Sequence, residues 1–357
     1  MARILLLHDA VPDYQTSRAA EAVAARPGAF EIATRTIGTG GTHRATLSAA
    51  WRLHKPAREF DLAHALGGRA LVAASLAGFR HIVHTPTEFP SQKRIGWLRA
   101  LALYRDLRIV CPTATMHRAL VTAGLPEDRC HLVQPGVDFS RVRAKRDAAL
   151  RAALGFDDSH HVLLAPGEST RAAGHDQVAW AAAILDVLDK KTRLLLWGRG
   201  GRAPSIAQFA RKINQPALVT LAEQRLGRRV EFEELPGVAD AAVVAPTEPA
   251  PTLPIAVCMA AGLPIAATVT PTVSELLEDR HTALMTQPAV PRLLARRILD
   301  LRDDAQLRWK LTDTARAEAY EFYPQTRFVK EMQGVYELAL SAPGAARRRE
   351  NEQAQTR

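Results

Sequence analysis

With 357 residues, 47% hydrophobic and 24% charged, the chain has the make-up of a globular protein long enough for two cores. No apolar run approaches the ~18–20 residues that a membrane-spanning helix needs, and Ile4–Leu7, closed by His8 and Asp9, is too short for a signal-peptide core. The formal charge is +10, from 47 Lys and Arg against 37 Asp and Glu, and only eight of those 47 are lysines. Apart from Arg347–Arg349 the arginines are scattered, and aromatics make up only 6%. Both facts favour solvated helix faces over a nucleic-acid surface. Cys111, Cys130 and Cys258 form no CxxC pair and no disulfide framework, which suits a reducing cytoplasm.

In chain order, short β-branched or leucine-rich runs alternate with longer helical patterns. Ile4–Leu7, Glu31–Arg35, Leu62–His64, His81–Thr85, Arg108–Cys111 and His131–Val133 are predicted strands, with helices Thr16–Ala25, Thr46–His54, Arg69–Ala77, Gly96–Tyr104 and Ala114–Ala123 between them. The pattern breaks at Pro135-Gly136-Val137-Asp138 and the charged stretch Arg141–Arg151, where a domain boundary is expected. A second series follows, with strands Val162–Ala165, Arg193–Trp197, Val230–Phe232, Ala242–Ala245, Pro264–Thr268 and Ala283–Thr286. Its helices are Gln177–Leu188, Ile206–Ile213, Leu218–Leu226, Pro254–Ala261 and Val290–Leu301, then Gln306–Ala319 and Gln325–Leu340. Such alternation implies two doubly wound α/β domains, over residues 1–140 and 141–324, with ligands at the carboxyl ends of the strands. The remainder, 341–357, is small, polar and charged and reads as a disordered tail.

One long string carries a resemblance. Ala239-Asp240-Ala241-Ala242-Val243-Val244-Ala245-Pro246-Thr247-Glu248 leads into Leu253-Pro254-Ile255-Ala256-Val257-Cys258-Met259-Ala260-Ala261-Gly262-Leu263-Pro264, then Val273-Ser274-Glu275-Leu276-Leu277-Glu278-Asp279. It resembles the donor-site signature of glycosyltransferase family 4, a retaining family with the GT-B fold. Gln134-Pro135-Gly136-Val137-Asp138 is similar to that family's hinge, and Trp197-Gly198-Arg199-Gly200 to its glycine turn. The resemblance spans most of residues 1–340. It implies two Rossmann-like domains facing a central cleft, with the helix 325–340 crossing back to the first. It also implies sugar transfer, with retention, from a nucleotide-sugar to an acceptor hydroxyl.

Physically the string suits an anion. Thr252-Leu253-Pro254 opens a helix, whose start carries unpaired N–H groups and a partial positive charge, and Gly198 and Gly200 let backbone approach a ligand. No Asp-x-Asp pair exists, so no metal and no cofactor beyond the nucleotide-sugar are expected. On the resemblance, Glu248 orients the sugar, while Arg171, Gly198, Arg199, Gly200, Thr252, Leu253, Pro254 and Glu275 contact the donor. A strand-end histidine at the sugar site is His84, or in another register has become Thr87, and Glu88 is a candidate by position alone.

The departures matter equally. Val257 stands where the family keeps a second Glu, Glu168 where it keeps Arg, and Ala173 where it keeps Lys. Arg171 is then the substitute cation. Asp9-Ala10-Val11-Pro12 replaces a Gly-Gly turn, and Pro249-Ala250-Pro251-Thr252 a glycine-rich segment. A catalytically silent GT-B protein that binds sugar or nucleotide, or serves a partner subunit, is therefore the alternative. A sugar-nucleotide 2-epimerase shares the two-domain shape, but the chain has none of the tighter acidic and histidine motifs expected of one, and nucleic-acid binding rests on charge alone. A cytoplasmic location is expected, with peripheral contact at a membrane surface left open and the acceptor unassigned.

Overall fold

The computed structural model describes residues 1–10, 12–38, 43–247 and 252–341. It divides into two compact units, Met1–Gly136 with the C-terminal helix Gln325–Leu340, and Val137–Pro324. The tail expected from residue 341 lies, past Ser341, outside the described residues.

The first unit is a parallel sheet in the order β2-β1-β3-β4-β5-β6. Its strands are β1 (Ala2–His8), β2 (Phe30–Thr36), β3 (Leu62–Leu66), β4 (His81–Thr85), β5 (Asp106–Cys111) and β6 (Cys130–Leu132). Alternate residues of a strand point to opposite faces. Leu5, Leu7, Ala63, Ile82 and Ile109 thus pack under the helices Gly68–Ala77, Gln92–Tyr104 and Ala114–Thr122. Ile4, Leu6, Leu62, Val83 and Val110 meet the opposite layer, where Phe328, Met332, Val335 and Tyr336 of the C-terminal helix close the core. Each such buried aliphatic side chain contributes about 1.5–3 kcal/mol.

One polar thread crosses this apolar layer. His64 of β3 is hydrogen-bonded to the Tyr336 hydroxyl at 2.7 Å and the Thr85 hydroxyl at 2.9 Å, so the C-terminal helix is held in register by a directional contact. Burial, with the neighbouring His84, pushes the His64 imidazole down to about 3, so it is a neutral structural bridge at ordinary pH.

The second unit repeats the scheme in the order β12-β11-β10-β7-β8-β9. The strands are β7 (His161–Ala165), β8 (Thr192–Leu196), β9 (Val219–Leu221), β10 (Ala241–Val244), β11 (Ile265–Thr268) and β12 (Leu284–Thr286). Strand order reverses between β7 and β10, which opens a crevice at their carboxyl ends. The sixth strand differs from the sequence expectation. Val219–Leu221 forms it, where Leu218–Leu226 reads as helix, and only Ala222–Leu226 is helical. The expected strand Val230–Phe232 instead leads into a 3-10 turn, Phe232–Gly237. There the Glu234 carboxylate accepts from the Glu231 N–H at 2.8 Å, a reciprocal cap that favours helical turns over extended chain.

The charged stretch Arg141–Arg151, where a domain boundary was expected, is largely exposed, but its last residue is built into this unit's core. Ala148–Ala153 is a helix, and Arg151 is 2% exposed, its guanidinium donating to the carbonyls of Val238, Asp157 and His160 and to the Asp240 carboxylate. Much of the arginine excess is likewise engaged within the fold, as in Arg193–Asp186, Arg202–Asp176 and Arg228–Glu234. No helix among the described residues is long and apolar enough to cross a membrane.

Candidate functional site

In the second unit three loops meet at the carboxyl ends of β7, β8 and β10. The β7 loop, Pro166–Gly174, and the β8 loop, Gly198–Gly201, are joined at Ser169. The Ser169 N–H donates to the Arg199 carbonyl at 2.8 Å, and the Arg202 N–H donates to the Ser169 carbonyl at 2.8 Å. The β7 and β10 loops are joined at Thr247, whose N–H donates to Ala172 O at 3.1 Å and whose hydroxyl donates to Arg171 O at 3.0 Å. Ser169 and His175 hold the β7 loop from beneath. The His175 Nε2–H must donate to the Pro166 carbonyl (3.1 Å), so Nδ1 accepts from the Ser169 hydroxyl (3.0 Å). Ser169 is 0% exposed and the second ring nitrogen is spent on a carbonyl, so the pair is a latch and no nucleophile. Burial pushes His175 down to about 4, which keeps it neutral and able to accept.

This clasp leaves polar groups uncommitted. The amide N–H groups of Gly198, Arg199, Gly200 and Gly201, and of Arg171 and Ala172, have no hydrogen-bond partner among the described residues. Gly198 and Gly200 adopt φ of 103° and 92°, a conformation open to glycine, and a run of uncommitted amides in such a turn is suited to an anion. Arg171 is exposed, and its guanidinium has no partner among the described residues. A small cavity of about 40 Å³ opens at the switch point itself, between Gly167, Glu168, Ala173, Val244, Pro246 and Pro254.

Other expected donor contacts sit differently. Arg199 lies over the Trp197 ring at 4.0 Å, and its Nε and Nη2 both donate to Glu223 Oε1, at 2.9 and 2.7 Å. Its backbone belongs to the run of amides while its charge is neutralised locally, and Arg199 in turn holds the Glu223 carboxyl below its ordinary value. The helix Leu253–Ala261 offers fewer donors than a typical helix start. Pro254 has no N–H, and those of Ile255 and Ala256 already reach Thr252 O at 3.1 Å each. Only the axial partial charge remains there for an anion. Thr252 and Leu253 are buried at that start, and Val257 is 1% exposed within a helix whose nine residues are all buried, so no carboxylate faces a ligand from its position. Glu275 is half-buried in a 3-10 turn after β11, and Glu168 half-buried in the β7 loop. Glu248 lies outside the described residues.

The first unit holds the other candidates. His84, near the end of β4, is 4% exposed and donates from Nδ1 to the Ala65 carbonyl at 3.0 Å. Burial pushes it down to about 4, and the Arg94 charge adds to the effect. His84 lines a cavity of about 250 Å³ walled by Leu71, Val72, Trp97 and Leu98, with Arg69, Glu88 and Arg94 also in its lining. Arg69 pairs with Asp9 at 2.9 Å and Arg94 with Glu88 at 3.4 Å. Thr87 is exposed in the same lining, so both registers weighed for the strand-end histidine put a polar group there. Ser169, His175 and Thr247, which fasten the loops, carried no sequence signal beyond being small or polar residues beside glycines.

Comparison with known proteins agrees with this architecture. A family model described as Glycosyltransferase Family 4 matches residues 10–141, and one described as Glycosyl transferases group 1 matches residues 160–304. No curated protein matches the chain. Among solved structures, Alr3699/HepE of Anabaena in complex with UDP and glucose is 17% identical, with a TM-score of 0.79 over 94% of this chain and 100% of that one. A glycosyltransferase of Rickettsia africae is 15% identical, with a TM-score of 0.75 over 96% and 99%. Sucrose-phosphate synthase of Thermosynechococcus elongatus is 17% identical, with a TM-score of 0.74 over 96% and 100%. At these identities the structures establish the shared fold.

Proposed function

The chain is a glycosyltransferase family 4-like protein with the GT-B fold, and from that premise we propose that it moves a sugar from a nucleotide-sugar to an acceptor hydroxyl, with retention and without a metal. The observation that carries this reading is the run of unpartnered amides at Gly198–Gly201, fastened through Ser169 to the loop bearing the unpartnered Arg171. Such a run and a guanidinium meet a diphosphate with preorganised donors, at no reorganisation cost as charge builds on the leaving group. That Alr3699/HepE was solved with UDP-glucose makes a uridine diphosphate sugar the first donor to try.

In this reading the bond from the sugar C1 to the diphosphate oxygen breaks, and its electron pair leaves with the diphosphate. The acceptor oxygen bonds C1 on the same face, and its proton passes to the departing diphosphate. His84 is neutral at pH 7, with its one N–H on Nδ1, and takes up a second proton only near pH 4. It therefore orients the acceptor hydroxyl and does not keep its proton. Glu248 is assigned to the sugar hydroxyls by resemblance.

A panel of sugar nucleotides, scored by released nucleotide and by the anomeric configuration of the product, tests the proposal, with Glu248→Ala as the control. No turnover with any donor would refute it. The alternative, a binding protein without turnover, is favoured by the Arg199 charge being neutralised by Glu223 and by the missing carboxylate at Val257. Binding of nucleoside diphosphate without any release from donors would mark that case.

A further inference from the structure

The two faces of the first unit carry different charge. One side of its sheet is covered by the helices His43–Leu53, Gly68–Ala77, Gln92–Tyr104 and Ala114–Thr122, whose Ala49, Leu71, Leu98 and Leu120 share one apolar cluster. Not one Asp or Glu occurs in these four helices, while every one of them holds Arg or Lys. Arg44, Arg52, Lys93, Arg99 and Arg118 are exposed, and their side chains have no ion-pair or hydrogen-bond partner among the described residues. Acids at the rim do not offset this charge, because Glu59, Glu88 and Asp106 are taken up by Lys55, Arg94 and His81. The opposite layer is mixed, with Arg18 bonded to Glu21 and Arg327 beside Glu331.

The helix Gln92–Tyr104 shows what lies between the cations. Ile95, Leu98 and Ala102 face the core at i, i+3 and i+7. A surface helix ordinarily turns a polar face to water. Here the far side carries Gly96, Trp97, Ala100, Leu103 and Tyr104, and the one charged side chain between Ile95 and Tyr104 is Arg99. Leu103 is 81% exposed and Tyr104 84%. On the helix His43–Leu53, Trp51 is 82% exposed, and Leu47, one turn before it, is exposed as well. That helix packs along Gly68–Ala77, and Thr46, Arg69 and Trp97 line one cavity, so three of the four helices lie side by side. Apolar side chains left this open over one face mark a contact surface.

Cations, leucines and amphipathic rings together match one kind of partner. An anionic lipid surface presents negative charge with an apolar layer just beneath it, and Trp and Tyr settle at that boundary. A nucleic acid would engage the cations and the rings but offers nothing to Leu47, Leu76 and Leu103. A second copy docked by the same face would set unpaired cations against unpaired cations.

We propose that this helix layer of the first unit rests on an anionic lipid surface, with Trp51, Leu103 and Tyr104 at the headgroup boundary and Arg44, Arg52, Lys93 and Arg99 against lipid phosphates. The contact is independent of the transferase reading, since it rests on this face alone.

The test sediments the full chain with vesicles of phosphatidylcholine alone, or of three parts phosphatidylcholine to one part phosphatidylglycerol, at low and high salt. Binding to the mixed vesicles is expected, weakening as salt screens the cations, with little binding to the neutral ones. A cation near such a surface is worth roughly fivefold in affinity, so Arg52→Gln with Lys93→Gln should weaken binding about tenfold or more. Arg211→Gln with Lys212→Gln removes the same charge from exposed positions of the second unit and should change binding less than about twofold. Leu103→Ser with Tyr104→Ser should weaken the binding that survives high salt. Lipids brominated along their tails should quench tryptophan emission, and less so in Trp51→Phe. All these side chains are exposed, and an unchanged unfolding midpoint shows each variant folded. Equal binding to both kinds of vesicle, no binding to either, or equal losses in the two double cation variants would overturn the proposal. So would an oligonucleotide that displaces the chain from the vesicles, or a dimer whose formation abolishes vesicle binding.

Discussion

Gly200 rests directly on the backbone of Ser169: a Cβ at Gly200 would stand 2.6 Å from the Ser169 carbonyl oxygen. Gly200 also has φ of 92°, a conformation that side chains rarely adopt. Both facts come from one contact, the closure of the β8 loop onto the β7 loop. Gly200→Ala is therefore expected to cost about 2–4 kcal/mol, from strain plus displaced backbone. It should also weaken binding of UDP by tenfold or more as the run of amides is displaced. Urea unfolding and calorimetric titration check the two parts. Retained affinity in a destabilised variant would separate these amides from the nucleotide site.

Arg171 offers the complementary case. It is exposed and unpartnered among the described residues, so Arg171→Ala should leave stability within about 0.5 kcal/mol. If it grips the diphosphate, affinity for UDP falls about tenfold or more, and Arg171→Lys restores only part of the loss because a lysine lacks the bidentate fork. An unchanged dissociation constant in Arg171→Ala removes it from the site.

Acid should weaken the fold over a definite window. His84 and His175 take up a second proton in the folded chain only near pH 4, and His64 only near pH 3, whereas the unfolded chain takes it up near 6.5. Between about pH 6.5 and pH 4 the unfolded state therefore binds more protons, so stability falls as pH falls, by up to about 1.4 kcal/mol per pH unit per ring. Above pH 6.5 these rings contribute no slope. Unfolding midpoints measured from pH 8 to pH 5 should be flat and then drop, and a flat profile throughout contradicts the burial of all three.

Arg151 is the strongest test of the region between the two strand series. Replacing it by alanine leaves the carbonyls of Val238, Asp157 and His160 and part of the Asp240 carboxylate without their donor, at an expected cost of about 3–5 kcal/mol. Arg141→Ala, whose side chain is 48% exposed beside Asp138, should cost less than about 1 kcal/mol. Equal effects in urea unfolding would mean that Arg151 is not a packed element.

The strands were legible where hydrophobic runs were flanked by turns. All six strands of the first unit and five of the six in the second form close to where they were expected, and the doubly wound architecture followed from alternation alone. β9 was missed because Val219–Leu221 runs straight into Ala222–Leu226 without a turn residue, while Val230 and Phe232 look extended until Glu231 and Glu234 cap each other. Arg151 looked like a solvated charge because burial of an arginine depends on carbonyls distant in sequence. The glycines of the site were readable, but the residues that make them obligatory were not. Ser169 meets Gly200, and the Ala245 carbonyl stands where a Gly174 Cβ would be, through contacts that no local pattern records.

The C-terminal helix has a consequence for how the chain matures. One face of the first sheet is closed by Phe328, Val329, Met332, Val335 and Tyr336, all synthesised after Val137–Pro324. As the ribosome delivers the chain, the second unit can finish first, while Leu62, Val83 and Val110 of β3, β4 and β5 wait for that helix and only Ala20, Ala22 and Val23 of the helix Tyr14–Ala25 share the face with them. An N-terminal fragment ending near Gly136 would therefore expose an apolar sheet face and aggregate. Adding the segment 325–340 in trans, or grafting it behind Gly136 through a flexible linker, should rescue it. The order of manufacture, and not the strength of the first unit's packing, would then set when a nascent chain stops needing a chaperone.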